Sequence, residues 1–175
     1  MGRVLRTLYV RSTPGIRTRG VLLAGPLAIP VALGRGGILA NKREGDGGTP
    51  RGRFRLIRLW WRADRAIRPL TLLPSRRIGP RDAWCEDPSD RHYNRPVERP
   101  AGAPGDRLRR DDHLYDYIIE ISHNARPRVA GRGSAVFVHV ARPGFAPTAG
   151  CVAMTRAHIR HLLERVGPKT HIVIQ

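Results

Sequence analysis

Short runs of apolar and β-branched residues recur along the chain of 175 residues, and Gly, Pro or Asn bound most of them. Such runs predict β-strands that are joined by turns. The predicted strands cover residues 4–10, 20–24, 28–33, 54–60, 117–122, 135–140 and 171–174. Between the third and fourth of them, the glycine-rich segment 34–52 predicts a long turn or loop, because glycine disfavours a helix.

One helix is predicted near the end of the sequence. Thr155 is a favourable N-cap, and Gly167 with Pro168 marks the expected end of the helix. The apolar residues between them have the i, i+3, i+4, i+7 spacing of a single buried face: Ile159, Leu162, Leu163 and Val166. The pattern as a whole therefore predicts a mainly β fold (α+β), with a C-terminal helix packed on a sheet and a final strand.

The length predicts a single domain over residues 1–175, since this size is close to the commonest for one hydrophobic core. Residues 76–112 depart from the periodic pattern and are rich in Pro, Asp and Arg. A stretch this long without periodicity is typical of a functional or mobile segment. Because it also contains aromatic residues, we predict an ordered, lid-like flap.

The apolar stretch at residues 21–33 follows several arginines, as the core of a secretory signal would. However, Gly25-Pro26 and Pro30 interrupt it, and no clear cleavage site follows. We interpret it as two strands around a turn, and a signal peptide is the alternative. The stretch is too short to cross a bilayer as a helix, so no transmembrane segment is predicted.

The charge is strongly basic, with 32 Lys and Arg residues against 14 Asp and Glu, which gives +18. A surface of this kind attracts polyanions such as nucleic acid, anionic lipid or acidic wall polymers. The arginines are spread along the chain and do not form the clustered footprint of a nucleic-acid binder. We therefore predict a solvated basic surface and no specific nucleic-acid partner.

Cys85 and Cys151 are the only cysteines, so the sequence contains neither a disulfide framework nor a CxxC metal motif. His158 and His161 lie on one side of the predicted helix, but no third ligand has a convincing spacing. We predict no metal and no organic cofactor. For Cys85, packing beside Trp84 is the simplest interpretation, with a redox or metal role as the alternatives.

The chemistry is concentrated in residues 133–154, where His139 lies near the end of a predicted strand and Cys151 follows a short loop. Adjacent segments joined in this way bring a thiol and its base to one end of a sheet. An imidazolium beside the sulfur would lower the thiol pKa and favour the thiolate. Gly150 leaves room for backbone N–H groups, including that of Cys151, to face an oxyanion, and Thr148 is a further candidate donor.

Several motifs in this order resemble those of the YkuD-type L,D-transpeptidase family. They are EGDGGTPRG (44–52), HVAR (139–142) and PTAGCVA (147–153). A branch of that family with a TAGC nucleophile turn is similar in more positions: WCEDP (84–88), YN (93–94), LYD (114–116), HN (123–124) and GSA (133–135). The resemblance extends over nearly the whole chain.

The resemblance implies a fold of packed mixed β-sheets and a role in peptidoglycan biosynthesis, cell-wall biogenesis and cell shape. Such enzymes cleave the terminal D-Ala from a stem tetrapeptide, hold the acyl group as a thioester, and pass it to an amine to form a 3→3 cross-link. By residue match, Cys151 is the nucleophile, His139 the general base and acid, and Gly150 part of the oxyanion turn.

Two positions depart from the wider family, which commonly has Ser/Thr-His-Gly-Cys and Arg two residues after the cysteine. Here these positions are Ala149 and Ala153, which leaves the substrate and the acceptor open. We expect Arg142 to bind an acidic stem carboxylate. Three further residues are predicted to line the substrate cleft: Asn124, Tyr93 and Trp84.

Two alternatives remain at the level of function. The first is an L,D-carboxypeptidase, in which water resolves the thioester, and the second is a non-catalytic basic module that binds a polymer. The implied substrate places the expected site of action in the cell envelope, although no convincing signal peptide is present. We expect a monomer whose partners are peptidoglycan stem peptides.

Overall fold

The computed structural model describes residues 4–175, and over that range it contains fourteen strands and one α-helix. In chain order the strands are β1 (Thr7–Thr13), β2 (Ile16–Ala24), β3 (Leu27–Ala32), β4 (Ile38–Leu39), β5 (Thr49–Pro50), β6 (Gly52–Trp61), β7 (Ser75–Arg77), β8 (Asp82–Trp84), β9 (Pro96–Glu98), β10 (Asp106–Arg107), β11 (Tyr117–Ile121), β12 (Phe137–Val140), β13 (Val152–Met154) and β14 (His171–Ile174). The helix α1 (Arg156–Leu163) lies between the last two strands, and a 3₁₀ turn covers Pro143–Phe145. The mainly β prediction is confirmed.

The principal sheet has nine strands in the order β11-β12-β13-β3-β2-β1-β14-β6-β7. The long strand β6 pairs with β14 through residues 52–55 and with β11 through residues 56–61. This second pairing joins the two ends of the strand order, so that all the strands except β7 form a closed, barrel-like ring. Closure removes the free edges that an open sheet of this size would expose.

The apolar stretch near the N-terminus forms the hairpin of β2 and β3, as predicted. Ala24 pairs with Leu27, so Gly25 and Pro26 are the whole turn. Gly25 has a φ of +61°, a conformation that two-residue hairpin turns of this kind favour at their first position. The buried side chains of both strands then enter the main core, which accounts for the apolar character of the stretch.

The helix begins as predicted, because the Thr155 side chain accepts a hydrogen bond from the backbone N–H of His158. It ends earlier than Gly167, at Leu163, where the chain tightens and Arg165 N donates to the carbonyl of Leu162 at 2.9 Å. The apolar face of α1 is buried in the main core through Ile159, Leu162 and Leu163.

A second apolar cluster covers the outer face of β6, β11 and β12. The segment that was predicted to be a flap supplies three of its ten residues, and β8, β9 and β10 form a small three-stranded sheet within that segment. The members of this outer cluster are buried: Trp60, Ile78, Trp84, Leu108, Leu114, Tyr115, Ile118, Ala135, Phe137 and Cys151. Within this segment Trp84 packs edge to face on Phe137 of β12, the strand that carries His139, with ring centroids 4.9 Å apart.

Candidate active site

The strands β12 and β13 run parallel and side by side, with Val138 opposite Val152 and His139 opposite Ala153. Cys151 lies immediately before β13, so the same register places it opposite Phe137. Paired residues of a parallel ladder share a face, and alternate residues return to it. The side chains of His139 and Cys151 therefore lie on the outer face, and both line one cleft.

The Cys151 thiol is buried and bonded to the backbone of the preceding segment. Its Sγ accepts a hydrogen bond from Phe137 N and donates one to the carbonyl oxygen of Ala135, both at 3.3 Å. Burial raises the pKa of the thiol to about 12, because a thiolate would lose its hydration there. The resting sulfur is therefore protonated.

The His139 imidazole is equally buried. Its Nδ1 lies 2.8 Å from the carbonyl oxygen of Val140, which fixes the proton on Nδ1 and leaves Nε2 as the free acceptor. Burial, with a smaller contribution from the nearby Arg110 and Arg142, lowers the pKa of His139 to about 4. The ring of Tyr115 contacts the imidazole edge to face, with centroids 5.4 Å apart.

The expected imidazolium–thiolate pair is therefore not the resting state. Burial disfavours the charged form of both groups, and the thiol bonds to backbone groups. A neutral thiol faces the same cleft as a neutral imidazole with an unprotonated Nε2. This arrangement suits a base that accepts the proton as the sulfur attacks, and it does not require a preformed thiolate.

The turn before the nucleophile is held by Thr148. Its Oγ1 donates to the carbonyl of Cys151 at 2.7 Å and accepts from Gly150 N at 3.1 Å. Gly150 has a φ of +145°, and a Cβ at this position would lie 2.8 Å from the carbonyl oxygen of Gly48. Both the backbone conformation and the close contact therefore require glycine at position 150.

The glycine-rich loop 34–52 packs directly behind this turn. Gly34 forms a bridge with Thr148, and a Cβ on Gly34 would lie 2.1 Å from the carbonyl oxygen of Gly47. From the same loop, the buried Lys42 reaches the cleft, where its Nζ pairs with Asp46. The loop thus supports the nucleophile turn and supplies a cation, a role that the sequence analysis missed.

The cleft has a volume of about 320 Å³ and contains charges of both signs. The cations that line it are Arg35, Lys42, Arg110 and Arg142, and the acids are Glu44, Glu86 and Asp106. Burial within the cleft, together with the nearby Asp106 and Glu44 carboxyls, raises the pKa of Glu86 to about 7. Glu44 and Glu86 were not predicted as site residues, because nothing local in the sequence indicated that they share a cleft with Cys151.

Of the four predicted substrate-binding residues, Arg142 lines the cleft and is exposed. The structure places the other three behind its wall. Trp84 Nε1 donates to Asn94 Oδ1 at 2.9 Å, the Tyr93 hydroxyl accepts from Gly133 N at 3.0 Å, and Asn124 Nδ2 donates to the Gly133 carbonyl at 3.0 Å. Tyr93 and Asn124 thus hold Gly133 directly, and Trp84 bonds Asn94, whose Oδ1 also accepts from the N–H of Ala135, the residue whose carbonyl accepts from the Cys151 thiol.

Cys85 and Cys151 are both free and buried. The Cys85 sulfur accepts a hydrogen bond from Arg99 Nη2 at 3.6 Å, and the residue packs within the flap. Within residues 4–175, no three His, Cys, Asp or Glu side chains are placed to hold a metal ion. Over the same range, no helix has the length and apolarity needed to span a membrane.

The comparisons with known proteins agree with this geometry. The family model of the L,D-transpeptidase catalytic domain (YkuD) matches residues 16–174. No curated protein and no solved structure matches the chain. The match covers nearly the whole sequence, including the strand that carries His139 and the turn that carries Cys151, and the chain belongs to the YkuD family of L,D-transpeptidase catalytic domains.

Proposed function

We propose that the protein is a peptidoglycan L,D-transpeptidase of the TAGC branch, with Cys151 as nucleophile and His139 as general base and acid. The observation that carries the proposal is the placement of both side chains on one wall of a charged cleft, from neighbouring parallel strands. Membership of the family supports the reaction class. The substrate is a stem tetrapeptide, and the product is a 3→3 cross-link.

Acylation follows from the neutral resting pair. The thiol leaves the Ala135 carbonyl and gives its proton to His139 Nε2 as the sulfur attacks the carbonyl carbon of the third residue. A C–S bond forms and the carbonyl becomes an oxyanion. When the C–N bond to D-Ala breaks, His139 returns the proton to the departing amine, which leaves a thioester on Cys151.

Transfer reverses these roles. An acceptor amine attacks the thioester carbon and loses a proton to His139, the C–S bond breaks, and the sulfur regains the proton. For the oxyanion we propose the Cys151 N–H as a donor, beside the space that the missing side chain of Gly150 leaves free. Thr148 keeps this turn in shape through the two hydrogen bonds of its hydroxyl.

Substrate binding is assigned to the charges of the cleft. Arg142 is exposed, lines the cleft and is near enough to His139 to affect its charge, so we propose that it binds a stem carboxylate. Trp84, Tyr93 and Asn124 contribute indirectly by fixing residues 133–135. A peptidoglycan substrate places the proposed site of action in the cell envelope, with the protein acting as a monomer.

The test is mass spectrometry of the intact protein and its products after incubation with a disaccharide tetrapeptide. The wild-type protein should form a thioester adduct, release D-Ala and yield a cross-linked dimer. Cys151→Ala should lose at least roughly 10³-fold of this activity, because a residue that forms the covalent intermediate has no substitute. Cys85→Ala is the matched control and should retain it, since the Cys85 thiol packs within the flap.

The products also separate the alternatives. Release of D-Ala with a free tripeptide and no dimer would identify a carboxypeptidase. Binding of the glycan without turnover, unchanged in Cys151→Ala, would identify a non-catalytic module. Either result would contradict the transpeptidase proposal.

A further inference from the structure

Asn94 occupies the point where the flap meets the nucleophile. The residue is buried, with 6% of its surface exposed, and has a φ of +53°, a conformation that asparagine adopts more readily than most residues. Its Oδ1 accepts from Trp84 Nε1 at 2.9 Å and from Ala135 N at 3.2 Å. Its Nδ2 donates to the carbonyls of His123 and Asn124, at 3.1 and 2.8 Å. All four bonding positions of the amide are therefore used.

Ala135 links this amide to the catalytic sulfur. Its φ of +51° is unfavourable for alanine, so the surrounding contacts must hold the residue there. The bond from Ala135 N to Asn94 is one of those contacts. On the other side of the same residue, the carbonyl oxygen accepts the hydrogen bond from Cys151 Sγ at 3.3 Å.

We infer that Asn94 is a positioning residue for the Cys151 thiol and acts through the backbone of Ala135. The inference rests on the proposed role of Cys151 as the nucleophile. Asn94 is not among the residues that line the cleft, so it has no part in binding the substrate. Its loss should therefore change the state of the sulfur and the rate of acylation without changing the affinity for the stem peptide.

Three variants separate positioning from general stability. Asn94→Gly removes the whole amide and tolerates the positive φ. Trp84→Phe keeps the aromatic ring and removes only the indole N–H that donates to Asn94. Leu108→Ala is the control, because Leu108 is fully buried in the same outer cluster and its side chain makes none of these hydrogen bonds.

The first measurement is the rate of alkylation of Cys151 by iodoacetamide as a function of pH, in a Cys85→Ala background and read by intact mass. The Ala135 carbonyl stabilises only the protonated thiol, so losing its alignment should lower the pH of half-maximal alkylation. We expect a clear downward shift for Asn94→Gly and a smaller one for Trp84→Phe. Leu108→Ala should lower the melting temperature and leave the alkylation profile unchanged.

The second measurement is turnover of the disaccharide tetrapeptide. For Asn94→Gly we expect kcat to fall about tenfold, the worth of one well-placed hydrogen bond, with KM unchanged. An alkylation profile that is the same in wild type and Asn94→Gly, or shifted equally in Leu108→Ala, would overturn the inference. If the alkylation shift occurs in a protein with no turnover, the inference stands and the proposed function fails.

Discussion

The two faces of β11 and β12 differ: one packs into the main core, and the other carries the candidate active site. Ile119 pairs with Val138, and both side chains belong to the main core inside the closed ring. The neighbouring residues on these strands face outward. Ile118, a member of the outer cluster, pairs with His139. The strand β12 thus contributes aliphatic packing on one side and the proposed catalytic base on the other.

The outer face is also where buried polar groups collect. The flap brings Asn94 and Asp106 close to β12, and Asp106 accepts a hydrogen bond from the hydroxyl of Tyr115 at 2.6 Å. Buried polar groups are tolerated only when they are hydrogen-bonded, and here most of those bonds join residues far apart in sequence. The ring therefore supplies most of the aliphatic packing, and the flap supplies hydrogen bonds that position polar groups on the outer face.

The largest effect on this comparison should come from His139→Gln. The glutamine side chain is an amide and cannot accept a proton as the imidazole does, so turnover should fall by roughly 10²- to 10⁴-fold. Because only the outer face is altered, the strand order should be retained. Turnover of the tetrapeptide and far-UV circular dichroism measure the two properties, and a variant with near-normal turnover would exclude His139 as the base.

A second prediction concerns stability in acid. The folded pKa of His139 is about 4, below the reference value of 6.5, so the unfolded chain takes up this proton first as the pH falls. The contribution of the neutral imidazole to the free energy of unfolding is fully present above about pH 6.5, and it is lost as the pH falls from there through about 4. The full loss is about 3 kcal/mol.

The measurement is the free energy of unfolding from pH 4 to 7 for wild type and His139→Gln. The difference between the two proteins isolates this group from the carboxylates, which titrate in both. We expect the variant to lose less stability than wild type over this range. Parallel curves would contradict the buried, neutral imidazole.

The smallest effect comes from a matched pair, Ile118→Val and Ile119→Val. Both side chains are fully buried, so each change should lower the free energy of unfolding by about 1 kcal/mol. Only Ile118→Val should also reduce turnover of the folded protein, by a few-fold, because Ile118 is the cross-strand neighbour of His139. Equal turnover in both variants would mean that the outer face tolerates repacking as well as the main core does.

The sequence predicted several parts of this molecule closely. The final strand was placed at residues 171–174, where β14 lies, and the turn at Gly25-Pro26 is the β2–β3 turn. These features depend on local turn chemistry and short-range alternation. His139 and Cys151 line the same cleft, and only a short connection separates them in the sequence.

Other parts depended on contacts that no local pattern contains. An ionised cysteine–histidine pair was expected, yet burial disfavours the charged form of both groups. Trp84, Tyr93 and Asn124 were expected in the cleft wall, whereas their polar atoms are bonded behind it. No role was predicted for Asn94 or Glu86, which reach the site only because the flap folds over the sheet.

The amino-acid sequence by itself determined the approximate positions of the longer strands, the helix start and the choice of the two proposed reacting residues, because periodicity, turn residues and short loops act over a few positions. The tertiary structure alone decided that β6 closes the ring, that the flap covers the outer face of β12, and that thiol and imidazole rest uncharged. The physical reason is that ionisation and positioning depend on burial and on hydrogen bonds between distant residues, which exist only once the chain has folded.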